Sequence, residues 1–194
     1  MAHVIAIDIG TTKLCGAAVD EGGCLLAVAS RPNDAAIAGL PDGWHEQDPQ
    51  RIRGLACDIL RELASRVPGA PAAIGLTGQM HGLVAVDAAG GAVGNLITWQ
   101  DQRCLTPSGP GLPPVLDELL ARVPAAAWEA CGCRPAGGYM AATLLWLSNL
   151  YGARSTATTA FAGATALVDG LIEARRHLTW STNPAPTSSP EVTE

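Results

Sequence analysis

Charged residues are scarce in this chain, 15% of 194 positions, and the basic ones form no stripe. Arg31, Arg51, Arg53, Arg61 and Arg66 are dispersed among acids, and the formal net charge is −6. Recognition of a phosphate backbone needs a concentrated positive face, so nucleic acid is not expected as a partner. Apolar runs long enough to span a bilayer are missing as well, which argues against a membrane partner. The first strand-like segment is not preceded by a basic region and a small-residue cleavage site, and a cytoplasmic protein is expected. Cys15, Cys24, Cys57, Cys104, Cys131 and Cys133 include no Cys-x-x-Cys pair. Cys131 and Cys133 make a lone Cys-x-Cys with no second pair or nearby histidine, so reduced structural cysteines fit better than a zinc or redox centre. No internal repeat suggests a solenoid.

What the chain does have is apolar residues at 48%, together with 22 glycines and 14 prolines. That mixture suits a buried sheet with many tight connections rather than a disordered chain. The length allows one domain with a sizeable core and is short for two full α/β domains.

Residues 4–9, 14–19 and 24–29 are short apolar stretches separated by Gly-Thr-Thr and Glu-Gly-Gly, turn compositions at hairpin spacing. They predict a three-stranded antiparallel meander. Asp48 is a good N-cap, Pro49 suits the first helical position, and Ile52, Leu55, Ile59, Leu63 and Val67 recur at helical intervals, which predicts a helix over 49–66. Further strands are expected at 72–76, 83–86 and 96–99, with a Pro/Gly-rich loop at 106–114. Helices are expected at 115–123, at 139–150 and near 166–174; the second is apolar on nearly every face and reads as buried. From Ser181 the composition turns to Ser, Thr, Pro and Glu, so residues 1–180 are read as the domain and 181–194 as a disordered tail. Three strands, a helix and more strands imply an α/β domain with a mixed sheet and covering helices.

Three segments carry chemistry. Ile7-Asp8-Ile9-Gly10-Thr11-Thr12-Lys13 places an acid at a strand end before a glycine turn with two hydroxyls. Such a turn can present N–H groups and the Thr11 and Thr12 hydroxyls to phosphate oxygens while Asp8 holds magnesium. The same residues also serve as plain hairpin punctuation. In Gly78-Gln79-Met80-His81-Gly82, Gln79 and a neutral His81 can donate to and accept from the hydroxyls of a polyol; the bland alternative is a core histidine beside a gap-filling methionine. In Trp99-Gln100-Asp101-Gln102-Arg103, the indole can stack on a sugar, and Asp101 with Arg103 can bracket hydroxyls or form a stiffening ion pair beneath the tryptophan.

Together with Glu46-Gln47-Asp48-Pro49, these segments resemble the FGGY carbohydrate kinases in order and approximate spacing, over about residues 3 to 175. Gln-Met-His-Gly is similar to xylulokinases and sedoheptulokinases; Trp-Gln-Asp-x-Arg-Cys, ending at Cys104, and Gly137-Gly138-Tyr139-Met140-Ala141-Ala142-Thr143 are similar to sedoheptulokinases. The resemblance implies a ribonuclease-H-like, actin-like ATPase half-domain and Mg-ATP-dependent phosphorylation of a ketose. It implies Asp8 as the metal ligand and Gly10, Thr11, Thr12 and Lys13 at the phosphates. Gln79, Met80, His81, Trp99, Asp101 and Arg103 are implied on the sugar. Many members carry a basic residue where this chain has Cys15, and Lys13, two residues earlier on the same strand face, is available in its place.

Members of the family continue through a second domain that closes over nucleotide and supplies a base aspartate. No such aspartate is identified here, and the family's acid-Ser/Thr-Asn-Ala-Ser stretch resembles only a degraded version at 179–185. A truncated product, weakly active or inactive alone, is therefore expected. The alternatives are a non-catalytic ketose-binding or partner-binding module and one half of a split kinase, with a homodimer or a complementing C-terminal half as partner.

Overall fold

A computed structural model describes residues 2–87, 89–151 and 160–162. β1 (His3–Ile9), β2 (Lys13–Asp20) and β3 (Leu25–Pro32) form the expected antiparallel meander. The chain then leaves the sheet, and α1 (Pro49–Arg66) returns it so that β5 (Ala73–Gly78) lies parallel to β1 on its other side, giving the order β3-β2-β1-β5. A parallel neighbour cannot be reached by a hairpin, which is why the helix comes between them.

α1 starts where the sequence signals it. The Asp48 carboxylate accepts hydrogen bonds from the Gln50 and Arg51 N–H groups, Pro49 opens the first turn, and Ile52, Leu55, Ala56, Ile59 and Leu63 are buried. They pack on one side of the sheet with Ile5, Ile7 and Ile9, the alternate residues of β1. Gly16 permits the close approach of helix to sheet: a Cβ there would lie 2.5 Å from Ile59 Cγ2 and 2.9 Å from Leu63 Cδ1. The opposite face of β1 carries Val4, Ala6 and Asp8, all exposed.

Beside this sheet, β4 (Glu46–Gln47) pairs with β7 (Leu96–Ile97), and β6 (Val84–Val86) pairs with β8 (Ala160–Ala162). A smaller core gathers Cys104, Val115, Ala142 and Trp146 where α2 (Val115–Arg122) and α4 (Met140–Tyr151) meet a 3-10 turn at Arg103–Leu105. All six cysteines are free, and burial pushes the Cys104 thiol up, against a smaller opposing effect of a backbone hydrogen bond from Gly138.

Besides the two-residue β4 and the 3-10 turn, neither expected from the sequence, three features differ from the sequence reading. α4 is buried on one side only: Ala142, Thr143 and Trp146 are enclosed, whereas Met140 and Leu150 are exposed. Its apolar composition measures what it can bury and not how many neighbours reach it. α3 (Ala125–Cys131) carries no signal in the sequence because it buries no residue and so shows no apolar stripe; it follows Pro124 and ends at Gly132, whose φ of 66° forms the left-handed cap. β8 is likewise silent in the sequence, since three residues carry too little alternation to register. The helix expected near 166–174, the segment 179–185 and the tail from 181 lie outside the described residues.

Candidate functional site

Because β1 and β5 are parallel, their C-terminal ends lie side by side, with Ile9 opposite Gly78. The Gln79 N–H donates to the Ile9 carbonyl at 2.9 Å. The loop after β5 thus begins against the turn after β1, and two segments far apart in sequence come side by side.

In the turn, the Gly10 N–H donates to the Lys13 carbonyl at 3.1 Å, and a Cβ at Gly10 would lie 2.5 Å from that oxygen. Only glycine closes the turn this tightly. Asp8 stands directly across from Cys15 on β2 and Thr77 on β5, exposed, with no side-chain hydrogen bond or ion pair among the described residues. Thr12 and Lys13 are exposed too, and Lys13 shares the face of β2 that carries Cys15. No group of three or more His, Cys, Asp or Glu among the described residues could hold a metal by itself. A single free carboxylate fits magnesium of the kind completed by water and substrate phosphate, the usual mode for this ion in phosphoryl-transfer sites.

Thr11 is occupied differently from its neighbours. Its hydroxyl donates to Gln79 Oε1 at 3.0 Å and accepts from Trp99 Nε1 at 2.8 Å. Gln79 Nε2 donates to Gln47 Oε1 at 2.9 Å, and Gln47 Nε2 donates to the Thr11 carbonyl at 2.9 Å. Asn33 Nδ2 braces the same turn through the Gly10 carbonyl at 2.9 Å.

Next to this cluster, Met80, His81, Trp99, Gly137 and Tyr139 line a cleft of about 240 Å³. His81 has a φ of 60°, unusual for a residue with a side chain, and its ring stacks on Tyr139 with centroids 4.1 Å apart and planes 11° from parallel. Met80 is 75% exposed and Trp99 48%. Large apolar side chains standing free around a concavity are uncommon unless something covers them. Gly138 sets the far wall: its φ is 80°, and a Cβ there would fall 1.6 Å from the Trp99 carbonyl oxygen.

Asp101 and Arg103, expected among the sugar contacts, do not line the cleft. They are 0% and 3% exposed, and the Asp101 carboxylate accepts from Arg103 Nε and Nη2, both at 2.8 Å, and from the His45 N–H at 2.8 Å. Arg103 Nη2 also donates to Glu46 Oε1 at 2.6 Å, and the guanidinium sits 3.9 Å above the centre of the Trp44 ring. Burial works against the Arg103 charge, but hydrogen bonds to Asp101 and Glu46 more than offset it and hold its pKa above the ordinary value. The ion pair weighed in the sequence reading is the one formed, as a buried brace between Glu46, the His45 backbone and the Trp44 ring. Tyr139, Gly137 and Gln47 were not assigned roles from sequence. Tyr139 stood in a family-like motif without a signal for its place in the site, and Gln47 looked like part of a helix entry.

Residues 3–108 match the family described as the FGGY family of carbohydrate kinases, N-terminal domain. A glycerol kinase of Gloeobacter violaceus is 39% identical over 101 residues, covering 52% of this chain and 20% of that protein. A glycerol kinase of Burkholderia pseudomallei is 31% identical over 161 residues, covering 80% of this chain and 30% of that protein. The solved xylulose kinase of Rhodospirillum rubrum matches with a TM-score of 0.70 and 28% identity over 87% of this chain and 33% of its own. The gluconate kinase of Lactobacillus acidophilus matches in fold with a TM-score of 0.68 at 24% identity, over 86% and 32% of the two chains. The chain therefore spans about a fifth to a third of the length of these relatives. Its fold is the actin-like ATPase half-domain expected from the sequence.

Proposed function

Since the chain belongs to the FGGY family of carbohydrate kinases, we propose that it forms the N-terminal part of an ATP-dependent kinase that transfers the γ-phosphoryl of ATP to a hydroxyl of a ketose such as sedoheptulose or xylulose. The observation that carries this reading is the Trp99–Thr11–Gln79 bridge, which joins the turn after β1 to the cleft beside Met80 and His81. Phosphoryl transfer depends mainly on positioning and on neutralising charge, and both begin with a phosphate turn held against an acceptor cleft.

In this reading Asp8 holds magnesium, which supplies charge neutralisation on the phosphates when bound. Gly10 keeps the turn tight enough for its backbone to approach phosphate, the Thr12 hydroxyl and N–H donate to phosphate oxygens, and Lys13 adds positive charge from the same face. Thr11 fixes the turn through its side chain, and its N–H remains the group offered to phosphate. Trp99 presents its indole to the C–H face of the sugar, and His81, fixed by Tyr139, hydrogen-bonds hydroxyls beside Met80. Gln79 orients the loop. Asp101 and Arg103 act as a buried brace that ties the segment after Trp99 to His45, Glu46 and Trp44. None of these residues is assigned as the base, so turnover at the rate of whole kinases needs groups beyond those named, from further kinase sequence or a partner chain. A cytoplasmic location belongs to the same proposal; no helix among the described residues is long and apolar enough to cross a membrane.

Calorimetric titration with xylulose, sedoheptulose and glycerol, each with and without Mg-ATP, tests this reading. A ketose and Mg-ATP should both bind. Asp8→Asn should weaken only the nucleotide, and Trp99→Ala should weaken the sugar about tenfold, the loss of one good aromatic contact. Ketose binding with no nucleotide binding would favour a non-catalytic module. A folded chain that binds neither would refute the assignment.

A further inference from the structure

We propose that Gln47, Gln79 and Thr11 form a hydrogen-bonded ring that makes binding at the phosphate turn and binding in the cleft depend on each other, with Gln47 as the positioning residue that closes it. This inference rests on the reading above for what the two places bind.

The ring runs from the Thr11 hydroxyl to Gln79 Oε1, from Gln79 Nε2 to Gln47 Oε1, and from Gln47 Nε2 back to the Thr11 carbonyl, at 3.0, 2.9 and 2.9 Å. Each amide uses one donor and one acceptor in it, so its polarity is fixed. Turning the Gln47 amide over would set its Nε2 against that of Gln79 and its Oε1 against the Thr11 carbonyl, exchanging two attractions for two repulsions. Gln47 is 5% exposed and does not line the cleft. It sits on β4, which is paired with β7, and β7 leads within two residues into Trp99, whose indole donates to the Thr11 hydroxyl. The turn after β1, the strand before α1, the loop after β5 and the loop after β7 therefore meet at Thr11. A shift of the turn that lengthened its bond to Gln47 would disturb the Gln79 and Trp99 bonds as well, since all three end on one residue. Phosphate bound to the turn orders this residue, and the cleft wall at Trp99 is then already in place when sugar arrives. The sugar in turn orders Trp99 and through it the turn, as reciprocity demands.

The test is a matrix of calorimetric titrations on the full chain, xylulose at several fixed Mg-ADP concentrations and Mg-ADP at several fixed xylulose concentrations. The wild type should bind xylulose about fivefold or more tightly when saturated with Mg-ADP, with an equal effect in the reverse order. Gln47→Leu should abolish this mutual effect while leaving each ligand's separate affinity within about twofold, which loss of structure alone would not do. Gln47→Glu retains the acceptor for Gln79 but not the donor to the Thr11 carbonyl; it should also reduce the coupling, and it serves if the leucine variant does not fold. Independent binding in the wild type, or full coupling retained in the folded Gln47 variants, would overturn the inference while leaving the kinase reading intact. A wild type that binds only one of the two ligands, or neither, would overturn both.

Discussion

Arg103 shows at the scale of one residue why a motif can be read correctly in type and wrongly in place. Its side chain is 3% exposed, bonded to Asp101 and Glu46 and flanked by the rings of Trp44 and Trp146. A charged pair near a tryptophan is what a sugar site uses, and it is also what a buried brace uses. Spacing in sequence cannot separate the two; burial does. Removing one member of a buried pair leaves the other without a partner and typically costs about 3–5 kcal/mol. Asp101→Ala should therefore lower unfolding free energy by about that much in urea denaturation. An Asp101→Ala protein as stable as the wild type that has lost sugar binding would instead return Asp101 to the ligand.

At the scale of elements, the meander and α1 were legible because their signals are local. Gly-Thr-Thr and Glu-Gly-Gly mark the two hairpins, and Asp48-Pro49 before Ile52, Leu55, Ile59 and Leu63 fixes both the start and the buried face of the helix. The cleft was legible on one side only. Met80, His81 and Trp99 belong to recognisable segments, whereas Tyr139 comes from a distant loop whose place depends on α4 docking against the 3-10 turn. No local pattern encodes that docking. Its most exacting contact is Gly138 against the Trp99 carbonyl. Gly138→Ala combines a severe clash with a φ that side chains disfavour, so its destabilisation should reach at least the upper end of the ~1–3 kcal/mol usual for overpacking, read by thermal unfolding. Tryptophan emission should change with it, and the change should be absent in a Trp99→Phe background. A Gly138→Ala protein with unaltered stability and emission would show that this loop does not wall the cleft.

Across the whole molecule, the parallel pairing of β1 with β5 brings the segments of the proposed site together. It sets the exposed Asp8 and the tight Gly10 turn at the same sheet end as the loop carrying Met80 and His81, and the Thr11 hydroxyl links that turn to Trp99. The family follows from four segments whose order is visible in sequence, but their convergence on Thr11 is not, because the Gln47, Gln79 and Trp99 contacts span 36, 68 and 88 residues. The sharpest test of this convergence is nuclear magnetic relaxation of xylulose protons in the presence of the protein and Mn-ADP, manganese standing in for magnesium. The ternary complex should show strongly enhanced relaxation that disappears in Asp8→Asn, because the metal would then lie beside the sugar only when that carboxylate holds it. If Mn-ADP and xylulose both bind and the sugar protons relax no faster than with manganese absent, the turn and the cleft are separate sites and the account is wrong.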